Sequence, residues 1–394
     1  MSNLRRIVVV GASLAGLRGA EELRRSGYDG ELTLIGREDH FPPYDRPPLS
    51  KEVLSGKWSP DEARLKEFQE LDATLLLGAP ATGLDLARRS VTVGGGRDVG
   101  FDGLMIATGT TVRRLRCPGS DLAGVLHFRD VEDCLALRDM LPRSPRVVLI
   151  GAGFIGSEIA AVCRGLGLET TLVDMAELPL SRQVGPMVAK HLMRRHREHG
   201  VSLRLGVGLS AIEGDTHVEG VVLTDGTRVP TDVVIAGIGV APASDWLQGS
   251  GLLLDGGVVC DEYCRAVGTE DVVAAGDIAC WTNPRYGRTG RVEHWTNAVE
   301  QAEYAAQALL GKVESAYSVA PYFWSDQYGM HLQSAGVIGD EQELVEGSLD
   351  EDRFVVECRA EGRATGVIAV NWVARFQRRR RALNAAADAA DPVS

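Results

Sequence analysis

The chain has 394 residues, enough for two or three domains with separate cores, and its 44% hydrophobic and 24% charged content is that of an ordinary globular protein. Lys and Arg number 42 against 54 Asp and Glu; the resulting net charge of −12 repels polyanions and, with only 6% aromatic residues, argues against a nucleic-acid partner. The seven cysteines are scattered without CxxC or zinc spacing, so they read as reduced thiols with no metal site, and the cytoplasm is the expected compartment.

The β-branched run Ile7–Val10 is only a strand long and breaks into glycines, so it is read neither as a secretion signal nor as a membrane span. Gly11–Gly16 is a glycine turn, Leu17–Arg25 has helical composition and Leu32–Ile35 supplies the next strand. The pattern returns at Arg146–Ile150, Gly151–Gly156, Ser157–Gly165 and Thr170–Val173, an internal repeat of a βαβ unit that predicts two dinucleotide folds. Between them, Phe41–Pro48 and Arg113–Gly119 are Pro-rich crossings, and Val131–Leu141 is a short helix. After Val240-Ala241-Pro242 come short strands, a Gly276-Asp277 turn and a helix over Asn297–Leu310. From Pro321 to Leu383 the alternation predicts a β-rich domain with an Arg-rich end, followed by an Ala/Asp-rich tail, Asn384–Ser394, expected to be loose.

Pyrophosphate needs backbone N–H donors at a helix N-terminus, approachable only where side chains are missing. Gly151, Gly153 and Gly156 meet that need, with Phe154 and Ile155 between the last two, and Asp174 ends the next strand where a carboxylate would hold a ribose 2′-OH. Met175 and Ala176 follow Asp174 where arginines would favour a 2′-phosphate, so NADH is expected over NADPH. In the first cradle Gly11, Ala15 and Gly16 are in place, but Ser13 stands where the second glycine belongs; its hydroxyl is small enough to admit and to contact phosphate. Glu38 is the corresponding ribose acid, and Arg37 either covers an adenine or is a solvated loop charge.

At this point the chain resembles the oxygenase-coupled NADH-dependent ferredoxin reductases, the group of putidaredoxin reductase and biphenyl dioxygenase reductase, related to apoptosis-inducing factor. The resemblance runs from end to end, through Pro43-Tyr44-Asp45-Arg46-Pro47-Pro48-Leu49-Ser50-Lys51, Ala107-Thr108-Gly109, the Gly151–Gly156 loop, Ala275-Gly276-Asp277, Glu293-His294-Trp295-Thr296-Asn297-Ala298 and Phe323-Trp324-Ser325-Asp326-Gln327-Tyr328. It implies an α/β fold like glutathione reductase, with two Rossmann-like domains and a C-terminal α+β domain: residues 1–112 and 241–320 for FAD, 113–240 for NAD, and 321–394 last. Arg46 and Lys51 are implied to flank FAD, Lys51 pairing with Glu158; Asp277 to take the ribityl chain; Trp295 to lie near the flavin ring. Ala107, Thr108, Gly109, Gly276, Glu293, His294, Trp324, Arg182 and Gly239 complete the expected cofactor contacts.

Each of these residues also has a plainer reading. Lys51 is otherwise a solvated lysine, Glu158 a first-turn acid favoured by the helix dipole, and Asp277 a helix N-cap. Trp295 and Trp324 are otherwise core aromatics, and Arg375 with Arg378–Arg381 either dock an acidic ferredoxin or are solvated. No cysteine precedes Cys117, so no redox dithiol follows the first cradle and electrons are expected to leave the flavin directly. The resemblance implies a [2Fe–2S] ferredoxin as acceptor, serving a cytochrome P450 or a Rieske-type oxygenase; the chain itself lacks cysteines spaced for a cluster. The alternatives are an NADH oxidase and a redox-sensing flavoprotein of the apoptosis-inducing factor type. The chain is read as a monomer or homodimer.

Overall fold

The computed structural model describes residues 4–65, 71–143, 145–339 and 341–390. Its helices are α1 (Leu14–Arg25), α2 (Val131–Met140), α3 (Phe154–Gly165), α4 (Ser181–Glu198), α5 (Trp295–Leu309) and α6 (Val373–Ala390). Among the described residues no helix is long and apolar enough to cross a membrane. The chain divides into two compact units.

The first unit comprises Met1–Asp45, Arg64–Thr111 and Ala241–Pro321. Its centre is a five-stranded sheet in the order Val272–Ala274, Gly103–Ile106, Arg6–Val10, Glu31–Ile35, Thr74–Leu76, all parallel. Ile7–Val10 is a continuous apolar run because a parallel strand is covered on both faces. Helix α1 packs on the sheet and on α5 closely enough that a Cβ on Gly19 would meet the Met105 sulfur of the strand at 2.4 Å and lie 3.5 Å from Ala302 O of α5. Arg24 and Arg25 close α1 where the dipole favours cations.

The second unit comprises Arg46–Ala63, Val112–Val240 and Tyr322–Ser394. It repeats the design, with parallel strands ordered Ser202–Leu205, Thr170–Asp174, Val147–Ile150, Val233–Ala236, Val125–His127. Helix α2 begins with a capping box, Asp133 N donating to Asp130 Oδ1 at 3.1 Å and Asp130 N to Asp133 Oδ2 at 3.3 Å. Helix α4 is broken at Gly185-Pro186, and the Gln342 amide repairs the break: it donates to Val184 O at 2.9 Å and accepts from Met187 N at 2.8 Å.

The same unit holds an antiparallel sheet ordered Tyr322–Gln327, Met330–Gly336, Arg363–Val370, Arg353–Ala360, Gln342–Ser348, which shares a core with Val184, Val188 and Leu192 of α4. Helix α6 packs on this sheet through Phe376. The tail expected to be loose is helical as far as Ala390, because α6 simply continues in alanines, which have the highest helix propensity; residues 391–394 lie outside the described residues.

Candidate functional site

The first cradle is built by backbone packing. Gly11 has φ +115°, and a Cβ there would lie 2.1 Å from Ala107 O; one on Gly16 would lie 1.7 Å from Gly11 O. Ala107 N in turn donates to Val10 O at 2.7 Å, so the Ala107-Thr108-Gly109 strand end forms the wall of the turn. Ser13 occupies the N-cap of α1 with extended backbone, yet its side chain makes no cap bond, which leaves the hydroxyl at the helix N-terminus where an anion would bind. Tyr44 Oη donates to Glu38 Oε2 at 2.6 Å, while Arg37, more than half exposed, comes only within 4.0 Å of Glu38.

Gly276-Asp277 closes this site from a second direction. A Cβ on Gly276 (φ +75°) would sit 3.2 Å from the Ala15 Cβ and 3.7 Å from that of Ala298, so the first turns of α1 and α5 converge on this turn. Asp277 is not a helix N-cap: it lies inside the short turn Gly276–Ile278, and its carboxylate accepts from Thr110 Oγ1 at 3.3 Å. Thr108 Oγ1 donates to Ala243 O at 3.0 Å, and Gly109 O accepts from Ala243 N at 2.9 Å. His294 stands at the N-cap position of α5, and desolvation pushes its pKa down to about 4; Glu293 pairs with Arg291 at 2.7 Å. Trp295 begins α5, and its Nε1 donates to Asp45 Oδ1 at 2.7 Å; burial pushes the Asp45 carboxyl upward, opposed by that bond and by Arg18.

In the second cradle Gly151 has φ +105° and a Cβ there would lie 2.2 Å from Gly237 O; one on Gly156 would lie 2.1 Å from Gly151 O. Gly153 differs, because its Cβ would meet nothing within 4 Å. Protein packing therefore does not require glycine there, and the backbone at the N-terminus of α3 is open on that side to the approach of an anion. Asp174 Oδ2 accepts from Ala152 N at 2.7 Å and Oδ1 from Ala176 N at 2.8 Å, so the carboxylate is set by the loop it faces. Met175 is 81% exposed, Ile155 and Ile238 are also exposed, and Arg182 is exposed at the start of α4. Gly239, at φ +89°, accepts from Arg113 N at 3.0 Å. Phe154 packs on Phe323 with ring centroids 4.8 Å apart.

Lys51 and Glu158 meet. Lys51 Nζ lies 3.3 Å from Glu158 Oε1, with both side chains nearly buried. Glu158 also accepts from Ser50 Oγ at 2.6 Å and from Ser325 Oγ at 2.7 Å, and Gln327 Nε2 donates to Ser325 Oγ at 3.2 Å. Burial raises the Glu158 pKa, while Lys51, Ser50 and Ser325 pull it back. Arg46, Lys51 and Trp324 all fall in the second unit. Arg46 donates to Arg129 O at 2.8 Å, and Trp324 stacks on Tyr322 at 6.0 Å, half-buried. In α6, Arg375, Arg378 and Arg379 all converge on Glu346, and Arg380 lies over the Tyr322 ring at 4.6 Å, so much of that charge run is engaged internally.

Four polar residues with no role assigned from sequence prove to be structural partners of the predicted ones: Tyr44, Asp45, Ser50 and Ser325. The available signal was their place inside the short motifs Pro43–Lys51 and Phe323–Tyr328.

Residues 5–302 match the model of the pyridine nucleotide-disulphide oxidoreductases, and residues 322–393 match the reductase C-terminal domain. The chain belongs to the pyridine nucleotide-disulphide oxidoreductase family. It is an oxidoreductase whose cofactors are NAD(H) and FAD. It is 36% identical over 370 residues to rhodocoxin reductase of Rhodococcus erythropolis, covering 93% of this chain and 86% of that protein. It is 35% identical over 356 residues to the ferredoxin–NAD(+) reductase component of the p-cumate 2,3-dioxygenase system of Pseudomonas putida, covering 90% and 87%. A covalent putidaredoxin reductase–putidaredoxin complex superposes with a TM-score of 0.90 at 34% identity, over 96% of this chain and 93% of the other. Within this family name the cysteines are notable: among the described residues all seven are free, and six of them are buried.

Proposed function

We propose that the protein is an NADH:ferredoxin reductase that passes electrons from NADH through FAD to a [2Fe–2S] ferredoxin serving a cytochrome P450 or a Rieske-type oxygenase. The observation that carries the reading is the pair of cradles on one chain, each with an acid fixed at or just beyond the end of its second strand, and no cysteine pair beside the first. The likeness to reductases of P450 and dioxygenase systems, over about nine-tenths of the chain, supports the choice of acceptor.

In this reading residues 1–112 with 241–320 hold FAD, through Gly11, Ser13, Ala15, Gly16, Glu38 and Asp277. Residues 113–240 hold NADH through Gly151, Gly153, Gly156 and Asp174, and residues 321–394 form the last domain. The open side of Gly153 and the uncommitted Ser13 hydroxyl fit a pyrophosphate at each helix N-terminus. Bound together, the two cofactors supply hydride transfer and then single-electron release. The chain contributes position and charge: Lys51, steadied by Glu158, offers a cation to negative charge developing nearby. A 2′-phosphate at the second cradle would meet the Asp174 carboxylate, which favours NADH. We place the protein in the cytoplasm, where its free thiols stay reduced.

The test is NADH-driven cytochrome c reduction by the purified flavoprotein with and without a [2Fe–2S] ferredoxin, repeated with NADPH. Strong ferredoxin-dependent stimulation with NADH is expected. Consumption of NADH that is indifferent to ferredoxin and yields peroxide would make it an NADH oxidase.

A further inference from the structure

The acid of the first cradle is fixed from outside the strand, turn and helix that form the cradle. The Tyr44–Glu38 bond of 2.6 Å has the length of a charge-assisted O–H···O⁻ hydrogen bond. Tyr44 is itself held: it is 6% exposed, its backbone bridges Arg64, Leu65 N donates to Pro43 O at 2.9 Å, and the His40 ring meets its ring edge-on at 5.7 Å. The turn that carries Glu38 leans on the cradle loop. Gly11 N donates to Ile35 O at 2.7 Å, and a Cβ on Gly36 would come within 2.8 Å of the Ala12 Cβ.

A glutamate has three side-chain torsions, and freezing them on binding opposes affinity. Arg37, on the surface and 4.0 Å away, is a weak restraint, because an exposed pair at that distance contributes little. The Tyr44 hydroxyl, at 2.6 Å, is a strong one. We propose that Tyr44 is a positioning residue for the adenosine ribose of FAD: its hydroxyl locks the Glu38 carboxylate against the cradle loop before the cofactor arrives. The proposal rests on the reading that the first cradle takes FAD. It makes affinity for the adenosine half of the cofactor depend on a residue in the Pro-rich segment, which touches neither glycine of the cradle through this bond.

The Tyr44→Phe variant keeps the ring and removes only the hydroxyl. Apoprotein is titrated with FAD and with riboflavin, which has no adenosine ribose, and flavin fluorescence is followed. FAD affinity is expected to fall about tenfold, within the range for a hydrogen bond to a charged group, with riboflavin binding unchanged. In a cycle with Glu38→Ala, Tyr44→Phe should add nothing further. Unchanged FAD affinity, equal weakening of both flavins, or full additivity with Glu38→Ala would each overturn the role of Tyr44. Wild-type apoprotein that binds no FAD would instead overturn the reading beneath it, so the two failures are distinguishable.

Discussion

The two cradles are built on one plan and secured by different means. In the second, Asp174 is held by the backbone amides of Ala152 and Ala176, both within a few residues of the loop or of the acid itself. In the first, Glu38 is held by the side chain of Tyr44, and the aromatic Trp295 by that of Asp45, both from the Pro-rich segment. A βαβ unit can thus carry its own acid or borrow a restraint from elsewhere in the chain. The first arrangement depends only on local backbone and tolerates change outside it; the second ties a binding site to a motif that sequence reading would treat as separate.

The largest effects come from the glycines that both cradles share. Gly151→Val places carbon against Gly237 O, and NADH-dependent flavin reduction should fall by at least about 100-fold in stopped-flow measurements, as expected when reacting groups are displaced by an ångström. Gly11→Val should instead yield protein without bound flavin, seen as loss of the visible spectrum. Retention of both activities would mean that the loops can rearrange and that the shared plan is not essential.

Lys51→Ala should slow flavin reduction by NADH by up to about 100-fold, in the range for removing one preorganised electrostatic group. An unchanged rate would remove its role. Asp174→Ala should raise the KM for NADH about tenfold, as for loss of a hydrogen bond to a charged group, and narrow the preference over NADPH. A preserved NADH:NADPH ratio would show that discrimination lies elsewhere.

A smaller effect compares the units through one histidine in each, His294 half-buried and His196 buried. His294 in the first and His196 in the second both have their pKa lowered by burial from 6.5 to about 4. The unfolded chain therefore binds more protons between those values, and folding stability should fall as pH drops from 6.5 towards 4. Each histidine contributes at most about 3 kcal/mol, and His196→Gln should flatten the slope in urea unfolding at stepped pH. The smallest effect is at Ser13. Because its side chain caps nothing, Ser13→Gly should alter stability by only a few tenths of a kcal/mol, and a larger loss would show that the hydroxyl is structural.

Much of this was legible in the chain because its signals are local. A β-branched run, glycines at fixed spacing and an acid one strand later are all contained in about thirty residues, so both cradles could be read directly. The Asp277 turn was legible as a position but open between cap and ligand contact, since an Asp after a glycine serves both; only its place inside Gly276–Ile278, beside Thr110, rules out the cap. The Arg-rich end was legible as charge, whereas its convergence on Glu346 was not, because that carboxylate lies some thirty residues upstream on a strand of the sheet.

Sequence alone determined the two dinucleotide folds, the acids Glu38 and Asp174 and the absence of a dithiol beside the first cradle, since backbone geometry and residue spacing impose these within single supersecondary units. Only tertiary structure decided that Tyr44 holds Glu38, that Lys51 and Glu158 meet with Ser50 and Ser325 around them, and that Gln342 mends the break in α4. Those contacts join residues more than a hundred positions apart or segments from different motifs. The chain's local propensities leave such pairings open, and packing selects them by the requirement that buried polar groups find partners.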